Sequence, residues 1–510
     1  MMKTNKIKVL QIGDHSWGKS IEDFENHIDI RAYWDINSLQ SDHGDDFNEF
    51  IKNFDAVLIL SQEEKLQYEL VLSSVEKYSV LYDEKIVDES PDIRKIFENH
   101  LAYAINMSDE RKILYELTKY FFSGQYGEKF KVDSIKVNPN FSGEVKYIGH
   151  VGVDLIGNFG KDFQPIISWR YNGILGENYN QELWLEYAAD EKVRVILLVH
   201  LINAGSSDIV RSWQTENFSD NNPLIIENYD ENQYYLAMTL KAKGEGSLRV
   251  GNLHNRRSRQ KFGTFTLGGS RYVDDSNQEI MTYFNPGNYQ PPLNVYFSGY
   301  RTAEGFEGYG MMKSLGHPFL LVTDPRLEGG AFYIGSSQLE NSIVSIINNT
   351  LRNLGFKSRE LIMSGLSMGT FGALYYSGNF RPKAVIVGKP LVNLGTMALN
   401  EKLKRPGGFG TSLDLLIANE KGSTLESARL LNLKFWQKFG QGNFDETLFA
   451  IAYMINDDYD ETAYPDLLEK LSHSQSRIIS KGIPGRHNDA SSTINQWFIT
   501  QYRRIMIDEF

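Results

Sequence analysis

The stretch Ser358-Arg-Glu-Leu-Ile-Met-Ser-Gly-Leu-Ser-Met-Gly-Thr-Phe-Gly-Ala-Leu-Tyr-Tyr-Ser-Gly378 decides how this chain is read. At its centre, Gly365-Leu366-Ser367-Met368-Gly369 fits the G-x-S-x-G elbow, in which a serine sits on a tight turn between a strand and a helix. The two glycines remove β-carbons where such a turn is too crowded to hold them. Leu361-Ile362-Met363 is a short apolar run suited to a buried strand, and Thr370–Tyr376 reads as the start of a small-residue helix. Strand, turn and helix are the context a nucleophilic serine requires. Ser367 is therefore the expected nucleophile, against the plainer reading of a surface turn that happens to contain serine.

Working outward, strand and helix patterns alternate from Pro291 onward as in a doubly wound α/β domain. Strands are expected at Leu293–Phe297, Phe319–Val322, Ala384–Val387, Leu448–Ile455 and Arg477–Ile479. Helices are expected at Leu339–Leu354, Pro465–Leu471 and Ile494–Ile507, with a helical insertion across Thr396–Phe439. This is the element order of an α/β-hydrolase core, assigned to residues 286–510.

In that fold the triad follows the chain order nucleophile, acid, base. A serine hydroxyl needs a histidine to take its proton, and the histidine needs a carboxylate to hold its tautomer. The strand Leu448–Ile455 runs through Asn456 into Asp457, Asp458, Tyr459 and Asp460. Asp457, the first carboxylate past the strand, is the chosen acid and Asp458 its near rival; locally, a solvated acidic turn fits all three aspartates, and only the chain order argues against it. Of the ten histidines only His473 and His487 follow. His473 ends a predicted helix before the last strand, whereas His487 lies in the flexible loop Gly482–Asp489 after it, so His487 is the expected base. The oxyanion hole needs two backbone donors. One is the N–H of Met368; the other is sought in Ser298-Gly299-Tyr300-Arg301, at Gly299 or Tyr300.

The upstream chain has a different texture. Residues 1–122 read as a small α/β unit, with strands at Lys8–Ile12, Asp55–Leu60 and Val80–Tyr82 and a helix at Ser108–Tyr120. Gly13-Asp14-His15-Ser16-Trp17-Gly18-Lys19-Ser20 formally matches a phosphate loop. Its bulky and acidic interior opposes an anion, so a plain strand-to-helix loop is the stronger reading and nucleotide binding the rival. Residues 123–285 carry short aromatic-rich strand patterns at Val145–Ile148, Pro165–Trp169, Glu182–Tyr187, Val193–Leu201, Tyr234–Leu240 and Leu248–Val250. Turn clusters such as Gly205-Ser206-Ser207 and Asn217–Asn222 separate them, which suggests a β-sandwich-like module.

Composition narrows the function classes. A chain of 510 residues needs more than one core. Its net charge of −12 opposes a nucleic-acid footprint. The one basic knot, Arg256-Arg257-Ser258-Arg259-Gln260-Lys261, reads as a solvated loop, or alternatively as a contact for an anionic partner. With no cysteine, disulfides, thiolate metal sites and cysteine nucleophiles are excluded, and no metal site is expected. No apolar run approaches the ~18 residues of a membrane span, and the N-terminus lacks the features of a signal peptide, so a soluble protein that stays inside the cell is expected.

With elbow, acid and histidine in place, the whole chain resembles the second accessory secretory protein of the accessory Sec system, through which Gram-positive cocci export serine-rich-repeat adhesins. The likeness is carried by the opening Lys8-Val9-Leu10-Gln11-Ile12-Gly13, by Gly251-Asn252-Leu253-His254-Asn255-Arg256-Arg257-Ser258, by the Gly365–Gly369 elbow and by Gly485-Arg486-His487-Asn488-Asp489. The resemblance implies an α/β-hydrolase-type enzyme that O-acetylates N-acetylglucosamine on the adhesin and supports its export. Ser367, Asp457 and His487 then take the triad roles, at an acid position where the family also carries glutamate. Implied partners are two sibling accessory secretory proteins, the accessory SecA motor and the glycosylated adhesin, with attachment to the membrane only through the translocase. The triad needs no cofactor of its own; the acetyl donor is left open, with acetyl-CoA a candidate. A carbohydrate or lipid esterase, or a non-enzymatic export adaptor, are the alternatives.

Overall fold

The computed structural model describes residues 6–510 apart from 88–89, 177–178, 217–222 and 229–233, and apart from the side chain of residue 402. The expected turn at Asn217–Asn222 lies outside the described residues. The chain is a mixed α/β protein whose described strands form three sheets.

The first sheet has five parallel strands in the order Ile28–Tyr33, Ile7–Ile12, Ala56–Ile59, Val80–Asp83, Tyr103–Ile105. Near-continuous apolar runs such as Ala56–Ile59, buried at every position, reflect helices on both faces. The loop after the first strand is filled by its own side chains. Trp17 is buried and donates its indole N–H to Gln11 Oε1 at 2.8 Å, while Gln11 Nε2 holds the Gly13 and His15 carbonyls at 3.0 Å each. The loop leads into a four-residue 3₁₀ turn, Gly18–Ile21, without the long helix whose N-terminus would face a phosphate.

The middle sheet departs from the expected sandwich of separate short strands. Its ten described strands form one connected sheet organised by a single 24-residue strand, Tyr234–Arg257. The Tyr234–Leu240 and Leu248–Val250 runs both lie inside it. The long strand pairs with Arg194–Asn203 through its first half and with Gln181–Ala189 through its second. Gly244 and Gly246, between those two runs, let the strand bend without ending: a β-carbon at Gly244 would lie 1.9 Å from the Lys192 carbonyl oxygen.

The third sheet carries the elbow. Its strands are β1 (Gly269–Val273), β2 (Glu279–Asn285), β3 (Leu293–Phe297), β4 (Phe319–Thr323), β5 (Leu361–Leu366), β6 (Ala384–Gly388), β7 (Leu448–Met454) and β8 (Arg477–Ile483), in the spatial order β1-β2-β4-β3-β5-β6-β7-β8. From β4 to β8 all neighbours are parallel; β1 and β2 form an antiparallel edge. A division at residue 285 therefore cuts this sheet, because β2 is hydrogen-bonded to β4 and belongs with it. The helices are α1 (Tyr309–Lys313), α2 (Ser337–Leu354), α3 (Met368–Ser377), the insertion α4 (Leu394–Lys404), α5 (Ser412–Glu420) and α6 (Leu425–Gly440), then α7 (Ala463–Leu471) and α8 (Ser491–Glu509).

The basic knot expected as a solvated loop is instead partly interior. Arg256 is 1% exposed; it donates to Glu304 Oε2 at 2.9 Å and pairs with Glu279 of β2. His254, two residues earlier on the same strand, donates to Glu304 Oε1 at 2.5 Å and Glu186 Oε1 at 2.9 Å. Burial alone would raise the Glu304 carboxyl, but Arg256 and His254 more than reverse that and hold it well below the usual carboxylate range. Arg259 is equally buried and donates to the Tyr120 and Phe122 carbonyls at 2.7 and 2.6 Å, fastening the N-terminal unit to the same hub. Two chain-distant modules thus meet at one desolvated charge cluster, which no local sequence window shows. Truncating one member leaves its partners charged and dry. Arg256→Ala is expected to lower stability by about 3–5 kcal/mol, read as a fall in the thermal midpoint, whereas Lys261→Ala, whose amine is exposed, stays close to the parent.

Candidate active site

The site is assembled at the C-terminal edge of the third sheet, where β5, β6, β7 and β8 end. The turn after β5 is forced by contact. A β-carbon at Gly365 would lie 2.2 Å from the Gly369 carbonyl oxygen, and one at Gly369 would lie 2.0 Å from the Phe297 carbonyl oxygen at the end of β3. Only glycine fits either place, and α3 seats directly on the neighbouring strand as a result. Between them Ser367 adopts φ 51° and ψ −119°, a conformation L-residues avoid, which lifts its side chain off the sheet. The turn is pinned by Ser367 N donating to Gly388 O at 2.9 Å and by Thr370 Oγ1 donating to Ser367 O at 2.5 Å.

The structure brings Ser367, His487 and Asp457 into one hydrogen-bonded line. Ser367 Oγ lies 2.8 Å from His487 Nε2, and His487 Nδ1 lies 2.8 Å from Asp457 Oδ2. An ionised carboxylate only accepts, so Nδ1 carries the proton and Nε2 is the acceptor for the serine hydroxyl. The imidazole is almost fully buried and so is the Asp457 carboxylate. The other Asp457 oxygen accepts from Tyr459 N at 2.9 Å and Asp460 N at 3.2 Å, which fixes the carboxylate plane.

Asp458, the rival acid, faces elsewhere. Its Oδ1 accepts the backbone N–H of His487 at 3.0 Å, and both its oxygens accept from Arg405 Nη1 at 2.8 Å. His473 sits in the turn between α7 and β8, at the opposite edge of the parallel strands from Ser367.

The oxyanion candidates separate. Met368 is the first residue of α3, where N–H groups have no partner within the helix and the helix dipole favours negative charge. Gly299 is removed from the hole as the structure stands, because its N–H donates to Glu307 Oε2 at 2.6 Å. Tyr300 is the next residue of the same loop. Its ring packs edge-on against Phe409 of the insertion, with centroids 5.2 Å apart, and remains 37% exposed. Burial, with the neighbouring charges of Glu328 and Tyr459, pushes the Tyr300 phenol up to about 12.

Sequence reasoning missed Arg405, Tyr459 and Glu307. Arg405 lies in Arg405-Pro-Gly-Gly-Phe-Gly410, inside the stretch expected as a helical insertion, where the structure instead has a loop between α4 and α5. Glu307 is eight residues from Gly299 and meets it only because the loop after β3 doubles back.

The comparisons with known proteins agree with one another over nearly the whole chain. Residues 7–510 match the model of the accessory Sec system GspB-transporter family. An accessory Sec system protein of Staphylococcus aureus (strain NCTC 8325 / PS 47) is 42% identical over 522 residues, covering 99% of this chain and 97% of that one. Its counterpart in Streptococcus gordonii is 39% identical over 507 residues, covering 99% of both. Among solved structures, a chain of the Glycosylation Associate Protein (Gap123) complex from Streptococcus agalactiae superposes with a TM-score of 0.90 at 37% identity, covering 99% of each. No helix among the described residues is long and apolar enough to cross a membrane. This chain belongs to the accessory Sec system GspB-transporter family, that of the second accessory secretory protein.

Proposed function

We propose that the chain is a serine-dependent O-acetyltransferase, acting through Ser367, His487 and Asp457 on N-acetylglucosamine of a serine-rich-repeat adhesin whose export it also supports. The observation that carries the reading is the unbroken line from Ser367 Oγ through the His487 ring to Asp457, on a serine held in a disfavoured backbone conformation. A strand order of β1-β2-β4-β3-β5-β6-β7-β8, with the serine after β5, supports an α/β-hydrolase core.

In the first half-reaction His487 Nε2 takes the proton of Ser367 Oγ as the oxygen attacks the acetyl carbonyl carbon. Asp457 holds the imidazolium that forms. Charge developing on the carbonyl oxygen is met by the Met368 N–H, with the Tyr300 N–H as the second donor. Collapse breaks the bond to the leaving group, which takes the proton from His487. In the second half a sugar hydroxyl gives its proton to Nε2 and attacks the acyl carbon; Ser367 Oγ leaves and is reprotonated. A hydrolase follows the same steps with water, so transfer depends on an acceptor filling the site first. The half-exposed Tyr300 ring offers a flat apolar face for a sugar there. The acetyl donor is any activated acetyl ester or thioester, acetyl-CoA among them. Sibling accessory secretory proteins, the accessory SecA motor and the adhesin are the proposed partners, and the cytoplasmic face of the translocase the proposed place of action.

Ser367→Ala is expected to abolish acetylation of the adhesin glycan while leaving the thermal midpoint within a degree or two. Mass spectrometry of adhesin from cells carrying the variant checks this, and undiminished acetylation overturns the triad reading.

The N-terminal and middle sheets contribute no residue to the triad, and loss of one hydroxyl leaves their surfaces as they were. Adhesin export is therefore expected to persist in the Ser367→Ala strain and to fail in the null strain, measured as secreted adhesin. Equal loss of export in both would show that the two functions are inseparable.

A further inference from the structure

Arg405 caps the C-terminus of α4, at the start of the insertion's first loop. One of its nitrogens, Nη1, bridges both oxygens of Asp458 at 2.8 Å each. Its guanidinium carbon also stands 4.5 Å from the centroid of the Tyr459 ring. Both neighbours lead to the same residue. Asp458 accepts the His487 backbone N–H at 3.0 Å, and the Tyr459 ring packs on the His487 imidazole with centroids 4.4 Å apart. Tyr459 is in turn fastened to the insertion, its hydroxyl donating to the Gly408 carbonyl at 2.5 Å, while Glu401 of α4 accepts the Gly407 N–H at 2.8 Å and stiffens that loop.

We propose that Arg405 is a positioning residue for acyl transfer, holding Asp458 and Tyr459 against His487 and cancelling the charge of the second carboxylate, which sits on the His487 backbone N–H. The inference rests on the acyltransferase reading above. Its physical ground is that Asp457 and Asp458 are consecutive and one of them must not act on the ring. An uncompensated Asp458 would set a second negative charge near His487 and favour the imidazolium, so less of the ring would stand as the free base that takes the serine proton. Arg405, 19% exposed, compensates it at contact distance.

The other charged groups around His487 do not replace it. Arg486 reaches Asp458 only at 3.9 Å and its side chain is largely exposed. Lys389, from the loop after β6, donates to the Asp489 carbonyl and Ser491 Oγ, and Asp489 accepts the Arg486 N–H. Asp460 is held by the Val392 and Asn393 N–H groups at 2.8 and 2.7 Å. Asp457 itself is committed to Nδ1.

The test is the pH dependence of kcat/KM for 4-nitrophenyl acetate with the purified full chain. Arg405→Met leaves Asp458 uncompensated, so the acid limb is expected to move to higher pH by about half a unit to one unit. Asp458→Asn leaves Arg405 uncompensated and is expected to move the limb the opposite way. The double variant is expected to return the limb to the parent position with reduced kcat, because the His487 backbone has lost its charged acceptor. Arg405→Lys keeps the charge but not the planar contact with Tyr459, so kcat is expected to fall several-fold with the limb unmoved and KM little changed. A merely structural role predicts lower amplitude with no limb displacement in either single variant, and that result overturns the inference. Should Arg405→Met melt below the assay temperature, Asp458→Asn alone decides by the presence or absence of its downward shift. Ser367→Ala is run alongside. If it keeps full activity the acyl-serine reading fails as well, whereas an inactive Ser367→Ala with unmoved limbs refutes only the role of Arg405.

Discussion

Everything at the site depends on a backbone crossing that leaves no room for a β-carbon. The Gly369 carbonyl presses on Gly365, and the Phe297 carbonyl presses on Gly369, each at a separation where a methyl group would overlap an oxygen. Those contacts bring α3 down onto β3 and hold Ser367 at φ 51° between them. The serine hydroxyl then stands above the sheet edge, where the loops after β7 and β8 also arrive. Strain here is a positioning device, sustained by the packing of α3 and by the Thr370 hydroxyl, which donates to the Ser367 carbonyl and accepts the Leu391 N–H.

Around that fixed point the histidine is the part with freedom to lose. It lies on a loop, and three directions of contact define it: Asp457 at Nδ1, Asp458 at its backbone N–H and Tyr459 on its ring. Two adjacent aspartates thus do different work, one on the ring and one on the main chain. The difference is set by which partner each finds, backbone amides for Asp457 and Arg405 for Asp458. The insertion that supplies Arg405 is gripped from outside as well, since His150 of the middle module donates to Asp414 of α5 at 2.8 Å. The middle module therefore bears on the site through the insertion and on the third sheet through the Arg256 hub.

Much of this was legible in the chain. The elbow, the parallel strands around it and the order serine, aspartate, histidine follow from short apolar runs, two glycines and chain order, all local signals. Ser367, Asp457 and His487 could be nominated together because loops after parallel strands share one edge of the sheet. What could not be read was which groups meet across distance. The knot at Arg256–Lys261 looked solvated because a run of cations usually is, and burial of Arg256 depends on Glu279 and Glu304 arriving from the third sheet. The long middle strand was expected as two runs, Tyr234–Leu240 and Leu248–Val250, whereas pairing with the strand Gly152–Trp169 carries it through Gly244 and Gly246. Gly299 looked like an oxyanion donor because nothing nearby in sequence pointed Glu307 at its N–H.

The central claim is that Ser367 carries the acetyl group. Intact-mass and peptide mass spectrometry of the full chain, quenched within its first turnover with an activated acetyl ester, tests it most directly. The account predicts a single added acetyl group located on Ser367, absent from Ser367→Ala and strongly slowed in His487→Ala. Acetylation at another residue, or at Ser367 with undiminished rate in His487→Ala, would contradict it.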